Sequence, residues 1–127
     1  MMHPKILIAE NEPRRAQMYQ TSLEADGFQI VQATDCANAW QMLRMQNIAM
    51  AIIDTQLPGL HDHNLLLCVR ADPSLAKLPV LMIGDALSFE AAIEWLDRGA
   101  DDYLSRSITS EMLKAQVHAK LRRSQPR

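Results

Sequence analysis

Oxygen-bearing side chains and one cation follow four apolar runs of this chain, at the points where the runs end. They are Glu10 and Asn11 after the first run, Asp54 at the end of the third, Asp85 after the fourth, and Arg106 after the fifth. Carboxylate and amide oxygens are the ligands that hard divalent cations such as Mg²⁺ prefer. A guanidinium holds phosphate oxygens through a planar fork of N–H groups. If these runs are neighbouring parallel strands, the residues form a site for a hard metal ion and a phosphoryl group.

Asp54 is the carboxylate around which the other residues are arranged. It directly follows the apolar residues 51–53 and precedes a Leu-Pro-Gly turn. An unpaired carboxylate inside a strand buried on both faces is costly or shifts its pKa. Asp54 is therefore expected at the carboxyl end of the strand, where open α/β sheets bind ligands. The alternative is that Asp54 only caps the turn, since Asp is common before such turns.

Five strands alternating with five helices are predicted to position these residues. The strands are 5–9, 28–33, 51–54, 79–83 and 102–104, and the helices are 13–26, 35–46, 64–71, 88–99 and 109–123. Pro13 suits a first helical turn, and Asp35, Ser88 and Thr109 are predicted N-caps. Regular alternation with short connections indicates an α/β fold, a doubly wound five-stranded parallel sheet between two helical layers.

Length and composition favour a single domain that binds neither nucleic acid nor an anionic membrane. The chain has 127 residues, 48% of them hydrophobic, and a formal net charge of -2. That charge gives no electrostatic case for binding nucleic acid or an anionic membrane, and no apolar run approaches the roughly 20 residues of a membrane span. Cys36 and Cys68 are predicted to be buried reduced thiols. We expect a cytoplasmic domain over 1–127, frayed at 1–4 and 124–127.

Several segments, in order along the chain, resemble the receiver domain of bacterial response regulators. They are Ile6-Leu7-Ile8-Ala9-Glu10-Asn11-Glu12-Pro13, Asp54-Thr55-Gln56-Leu57-Pro58-Gly59 and Gly99-Ala100-Asp101-Asp102-Tyr103-Leu104, with support from residues 79–83. The resemblance covers essentially the whole chain. It implies a flavodoxin-like (βα)5 fold acting in phosphorelay signalling, in a domain that can also be the N-terminal part of a longer regulator.

The resemblance implies a role for each residue of the predicted site. Asp54 would accept a phosphoryl group from a histidine kinase or a phosphotransfer protein. Mg²⁺ would be held by Glu10, Asn11, Asp54 and the backbone carbonyl of Gln56. Tyr103 would be the aromatic switch residue that changes rotamer. Such a domain is not an enzyme, beyond hydrolysing its own aspartyl phosphate.

The implied partners are a kinase, an output domain or partner protein, and a second copy of the chain. The face formed by the fourth helix, fifth strand and fifth helix is the usual dimer surface. Ile93 and Leu96 are predicted to face inward on that fourth helix, which sets Trp95 on the outward side. There it would be a packed edge residue or part of a partner-binding face. Direct binding of nucleic acid or membrane is not expected.

The chain departs from the receiver pattern at the residues that contact the acylphosphate. Gly84 stands at the hydroxyl position, and Arg106 stands at the lysine position. Asp85 could pair with Arg106 and close the site. Asn11 removes one charge from the acidic pair, so that magnesium binding is expected to be weakened. His61 and His63, in the loop after the third strand, are predicted to be plain surface residues.

These departures leave two functions in competition. One is a working phosphoacceptor on Asp54. The other is a degenerate pseudo-receiver that binds partners or dimerises without phosphorylation. A flavin-binding electron carrier is a weaker third alternative, because residues 10–12 would repel phosphate where a phosphate loop would lie; a flavin absorbance spectrum would distinguish it.

Overall fold

The described residues form one five-stranded parallel sheet flanked by five helices. The computed structural model describes residues 3–60, 64–85 and 89–124. The strands are β1 (Lys5–Ala9), β2 (Gln29–Ala33), β3 (Met50–Asp54), β4 (Val80–Gly84) and β5 (Asp102–Ser105). The helices are α1 (Pro13–Glu24), α2 (Cys36–Met45), α3 (Leu65–Ala71), α4 (Phe89–Asp97) and α5 (Ser110–Ser124). The strand order is β2-β1-β3-β4-β5, which confirms the predicted doubly wound α/β fold.

The fold has three layers, with the sheet between two layers of helices. An apolar cluster lies on each face of the sheet. One packs α2, α3 and α4 on one face, and the other packs α1 and α5 on the opposite face. The central strands β3 and β4 are buried along their whole length. Such strands read as continuous apolar runs because helices cover both faces of a parallel sheet. The predicted inward residues of α5, Leu113, Val117 and Leu121, are buried as expected.

Helix starts follow the predicted capping residues where the structure describes them. The side chain of Asp35 accepts a 2.8 Å hydrogen bond from Asn38 N, and Thr109 Oγ1 accepts one of 3.2 Å from Met112 N. Glu12 caps α1, accepting from Arg15 N at 2.8 Å. The predicted cap Ser88 and the loop histidines 61 and 63 lie outside the described residues.

The predicted orientation of α4 is wrong. Trp95 is buried at 7% exposure, whereas Ile93 and Leu96 are 57% and 43% exposed. Apolar residues occupy both sides of this helix, so the sequence period did not decide which side faces the sheet. The large indole ring takes the inner side, because it removes the most apolar area from water. The guanidinium of Arg98 lies 5.1 Å from its ring centroid.

The burial predicted for Cys68 is also wrong, although Cys36 is buried as expected. Helix α3 is apolar almost throughout, and it buries Leu65, Leu66 and Val69. At 3.6 residues per turn, Cys68 lies about 100° around the helix from the centre of these three buried residues. It is therefore exposed, although Leu65 is only three residues away.

Arg70 ties the end of α3 to the chain that enters β4 and β5. Its Nε donates to Gly99 O at 2.9 Å, and its Nη1 donates to Leu78 O at 2.7 Å. Its Nη2 donates to Asp101 Oδ2 at 3.0 Å, and the same oxygen accepts from Val80 N at 2.7 Å. This network lies at the edge of the sheet where β4 and β5 begin, opposite the edge where Asp54 and Gly84 end their strands.

Candidate functional site

The predicted residues meet where the parallel strands end. Asp54 is the last residue of β3 and Gly84 the last residue of β4. The register sets Asp54 opposite Ile83 and Gly84 opposite Ser105. Glu10 follows β1 directly and is 2% exposed. The strand ends therefore bring the buried carboxylates to one edge of the sheet, as the sequence predicted.

Asp54 and Arg106 form a bidentate ion pair. Arg106 Nε donates to Asp54 Oδ2 and Arg106 Nη2 donates to Asp54 Oδ1, both at 2.9 Å. Oδ1 also accepts from Gln56 N at 2.8 Å. The Asp54 side chain is 1% exposed and that of Arg106 is 19% exposed. Two parallel N–H···O bonds fix the carboxylate in orientation as well as compensating its charge.

The pair perturbs the pKa of both partners. Burial by itself raises the pKa of the Asp54 carboxyl group. The hydrogen bonds from Arg106 and Gln56 N outweigh burial, so that this pKa lies below its ordinary value. The hydrogen bond to Asp54 raises the pKa of the Arg106 guanidinium. Asp54 is therefore a fixed carboxylate anion across the physiological pH range.

Arg106 also contacts two further residues at the same edge. Its Nη1 donates to Asp85 Oδ1 at 2.6 Å, and its Nη2 donates to Thr55 Oγ1 at 3.3 Å. The pairing of Asp85 with Arg106 that the sequence suggested is therefore present. The Asp85 side chain is 81% exposed, so this outer pair is far more exposed than the pair with Asp54 and contributes little to stability.

A second arginine pairs with the other buried carboxylate. Arg15 Nε donates to Glu10 Oε1 at 2.9 Å, and Arg15 Nη2 donates to Glu10 Oε2 at 3.3 Å. Oε2 also accepts from Glu12 N at 3.0 Å. The Glu10 side chain is 1% exposed, and the Arg15 side chain is 33% exposed. The hydrogen bond to Glu10 raises the pKa of Arg15.

Tyr103 occupies the space beside Gly84. A Cβ atom at Gly84 would lie 2.3 Å from the Tyr103 hydroxyl oxygen and 2.9 Å from Thr55 Oγ1. The Tyr103 hydroxyl donates to Asp85 O at 3.0 Å. Burial, and then the charge of Asp85, raise the pKa of Tyr103. The aromatic side chain thus lies inward, where a hydroxyl side chain at position 84 would otherwise be.

The donor set around the two buried carboxylates does not fit a bound Mg²⁺ ion. All four carboxylate oxygens of Glu10 and Asp54 accept hydrogen bonds from the guanidinium groups of Arg15 or Arg106. Over residues 3–60, 64–85 and 89–124, no group of three or more His, Cys, Asp or Glu residues is placed to hold a metal. A metal ion would have to compete with a guanidinium group at any of these four oxygens.

The other predicted metal ligands lie at the outer side of this site. Asn11 and Gln56 are both exposed. The backbone N–H of Gln56 is directed to Asp54. Neither residue adds a negative charge to the site.

Comparison with known proteins places the chain in a family. The model for the response regulator receiver domain matches residues 6–118. The chain belongs to this receiver family. This receiver domain is therefore a module of two-component signal transduction, in a family of signalling proteins rather than classical enzymes. Receiver domains generally interact with histidine kinases and output domains, and they generally bind Mg²⁺ at the acidic pocket.

Relatives and solved structures agree with this assignment. The response regulator GtcR of Aneurinibacillus migulanus is 31% identical over 97% of this chain and 50% of its own length. The phosphate regulon regulator PhoB of Rhizobium meliloti is 30% identical over 98% of this chain and 55% of its own length. The receiver domain of the Francisella response regulator 1452 has a TM-score of 0.87 at 28% identity, covering 97% of this chain and all of that one.

The receiver domain spans about half the length of the curated relatives that it matches. Among the residues that the structure describes, none of the helices has the length and apolar character needed to cross a membrane.

Sequence reasoning did not identify Arg15 or Thr55 as part of this site. One signal for Arg15 was available: it is a cation in the first turn of a helix, where the helix dipole disfavours positive charge. The first turn of α1 carries no acidic residue to compensate it. The compensating carboxylate is Glu10, outside the helix, and only the fold brings the two side chains together.

Proposed function

We propose that this receiver domain accepts a phosphoryl group on Asp54 and passes the signal to an output domain or a separate partner protein. The observation that supports the proposal is the position of Asp54 at the carboxyl end of the central strand, with Arg106 bound to it. Among the described residues, no other carboxylate combines this position with a guanidinium group already placed for phosphate contact.

The hydrogen bonds of Asp54 distinguish its two oxygens as nucleophiles. Oδ1 accepts from Gln56 N and from Arg106 Nη2, whereas Oδ2 accepts from Arg106 Nε. Oδ2 is therefore the oxygen without a backbone hydrogen bond, and it becomes free to attack once Arg106 moves away. The Oδ2–P bond forms as the bond from phosphorus to the histidine nitrogen of the donor breaks, and the electron pair stays on that nitrogen. Arg106 then donates to the phosphoryl oxygens through the same fork.

Arg106 makes the unphosphorylated site stable and transfer slow. The guanidinium must leave a buried carboxylate before the oxygen can attack, and breaking a buried ion pair is strongly unfavourable. We therefore expect slower phosphorylation than in receivers with a lysine at this position. Hydrolysis of its own aspartyl phosphate would be the domain's only enzymatic activity. Magnesium binding is expected to be weaker than in receivers with a full acidic pair.

The test is intact-mass analysis after incubation with acetyl phosphate. We expect an adduct of one phosphoryl group on the unmodified protein and none on Asp54→Asn. Asp85→Asn is the matched control, because it removes a carboxylate from the outer pair and leaves Asp54 in place. An adduct that persists in Asp54→Asn would refute the assignment of the acceptor.

A second function, phosphorylation-independent partner binding, is favoured by Tyr103. Its side chain already fills the space beside Gly84. Because Gly84 has no hydroxyl group, a phosphoryl group cannot form a hydrogen bond to a side chain at this position. A ligand without different contacts in two states shifts no equilibrium between them. In this case the domain would present one fixed surface, formed by α4, β5 and α5, to its partner or to a second copy of itself.

The proposed setting is the bacterial cytoplasm. Two similar regulators, RpaA of Synechocystis and MtrA of Mycolicibacterium smegmatis, are named as DNA-binding proteins. We propose that nucleic acid contact, where it occurs, belongs to an output domain. The net charge of -2 gives this receiver domain no electrostatic attraction to phosphate backbones.

A further inference from the structure

Arg15 has a place in the pocket that the proposed function does not use. Its guanidinium contacts both oxygens of a carboxylate whose side chain is 1% exposed. The charges of Asp54 and Arg106 also act on Arg15, so that the two ion pairs belong to one cluster. In a site of this kind, a hard divalent cation would normally compensate the carboxylates.

The charges of the two buried carboxylates are balanced without any added ion, and the third carboxylate at this edge, Asp85, is 81% exposed. Glu10 and Asp54 contribute two negative charges, and Arg15 and Arg106 contribute two positive charges. The affinity of an oxygen site for a hard divalent cation follows the negative charge of its ligands. A divalent cation entering between the two buried carboxylates would meet two fixed guanidinium groups. The surplus negative charge, on Asp85, lies on an exposed side chain that already pairs with Arg106.

The position of Arg15 is fixed by the start of α1. Glu12 caps the helix by accepting from Arg15 N at 2.8 Å, and Glu12 N donates to Glu10 Oε2 at 3.0 Å. The turn from Glu10 to the helix therefore directs Arg15 back to the carboxylate. The neighbouring Arg14 is exposed.

We propose that Arg15 is the built-in cation of this pocket, replacing the divalent metal ion that receiver domains generally bind. The carboxylates are held in place by the two arginines and by the backbone N–H groups of Glu12 and Gln56, and the folded state of the pocket does not depend on Mg²⁺. Arg15 acts as a positioning residue: it orients Glu10 and excludes the metal. The inference concerns metal binding only, and it holds whether or not Asp54 is phosphorylated.

The test compares the thermal unfolding midpoint in EDTA and in about 10 mM Mg²⁺. We expect no shift for the unmodified protein. Arg15→Gln leaves Glu10 buried without a cation, so its midpoint in EDTA is expected to fall and Mg²⁺ is expected to restore part of it. Arg14→Gln is the matched control, since it removes the same charge from the same helix at an exposed position, and it should behave like the unmodified protein.

A direct binding measurement covers the case in which Arg15→Gln does not fold. Mn²⁺ titrated into the unmodified, isotope-labelled protein should leave the amide signals of residues 10–12 and 54–56 unbroadened at metal concentrations that saturate ordinary receivers. Arg15→Lys keeps the charge and is expected to keep this exclusion. Selective broadening of those signals in the unmodified protein would overturn the proposal, as would a midpoint that rises with Mg²⁺ equally in the unmodified protein and in Arg15→Gln.

Discussion

Substituting Gly84 by alanine tests whether Tyr103 is fixed by the absence of a side chain at position 84. The added Cβ would lie 2.3 Å from the Tyr103 hydroxyl oxygen and 2.9 Å from Cζ. The backbone of Gly84 does not have a positive φ, so alanine brings no backbone strain. The whole cost must come from contacts, and the nearest atoms are at the outer end of a side chain that can rotate.

The expected magnitude follows from what Tyr103 loses when it moves outward. Its hydrogen bond to Asp85 O contributes about 1 kcal/mol, and overfilling a packed site costs about 1–3 kcal/mol. Replacing glycine by alanine lowers the conformational entropy of the unfolded chain, which stabilises the folded protein by about 0.4–1 kcal/mol. We expect the free energy of unfolding of Gly84→Ala to fall by about 1–3.5 kcal/mol.

The assay is a double-mutant cycle measured by urea unfolding. Gly84→Ala is introduced into the unmodified protein, into Tyr103→Phe and into Tyr103→Ala, and the midpoints are compared at a common denaturant slope. Tyr103→Phe keeps the ring carbon near the new Cβ but removes the hydroxyl group. In this background the loss of stability caused by Gly84→Ala should lie between its values in the unmodified protein and in Tyr103→Ala. In Tyr103→Ala the clash with the ring is gone, and Gly84→Ala should be close to neutral.

Equal costs of Gly84→Ala in all three backgrounds would refute this reasoning. Such a result would mean that Thr55, at 2.9 Å from the added Cβ, sets the cost instead of Tyr103. It would also remove the support that Tyr103 gives to phosphorylation-independent function.

Three further predictions concern the metal, the switch and the pH dependence of stability. Asn11→Asp restores one negative charge and is expected to raise the Mg²⁺ affinity above that of the unmodified protein, in which Arg15 opposes binding; equal affinities in a calorimetric titration would contradict this. Beryllofluoride, a phosphoryl mimic, is expected to leave the amide shifts of Tyr103 and the fluorescence of Trp95 nearly unchanged, with Trp40 replaced by Phe to remove the second emitter. A large response spread over residues 84–106 would favour an ordinary phospho-switch. Burial raises the pKa of Tyr19 from 10.0 to about 12. The contribution of the neutral Tyr19 hydroxyl to the free energy of unfolding is therefore complete below the pKa of the unfolded chain, and it is lost as the pH rises from that pKa to the folded one. Tyr19→Phe, which removes a hydroxyl group without a hydrogen-bond partner among the described residues, should flatten the fall in urea midpoint over that range, and an unchanged slope would contradict the assignment.

The fold and the central carboxylate were predictable because their signals are local. Continuous apolar runs indicate buried parallel strands, and a carboxylate at the end of such a run must lie at the edge of the sheet. The order of strand ends then brought Arg106 near Asp54 and Asp85. These inferences need only the chain order and the geometry of parallel strands.

The errors arise where a helix is apolar on more than one side. Helix α3 reads Leu-Leu-Leu-Cys-Val-Arg-Ala, and α4 carries apolar residues around most of its circumference. In such helices the period does not define the inner face, so the placement of Cys68 and Trp95 depended on how the helices dock. Arg15 was missed for a different reason, because its partner lies outside its own helix and is joined to it only by tertiary structure.

The network around Arg70 has a consequence for how α4 can move. The hydrogen bonds from Arg70 to Gly99 O and Asp101 fasten the chain just after the last residue of α4. Helix α4 has 9 residues, which correspond to roughly 13 Å of length at about 1.5 Å per residue. Because the chain is anchored at this end, a rigid displacement of the helix is a rotation about residue 99. A tilt of about 10° then carries the Phe89 end through roughly 2 Å, while the end next to Gly99 stays almost still. Motion coupled to the pocket should therefore increase steadily along α4 toward Phe89, and amide exchange should be slowest at the pivot.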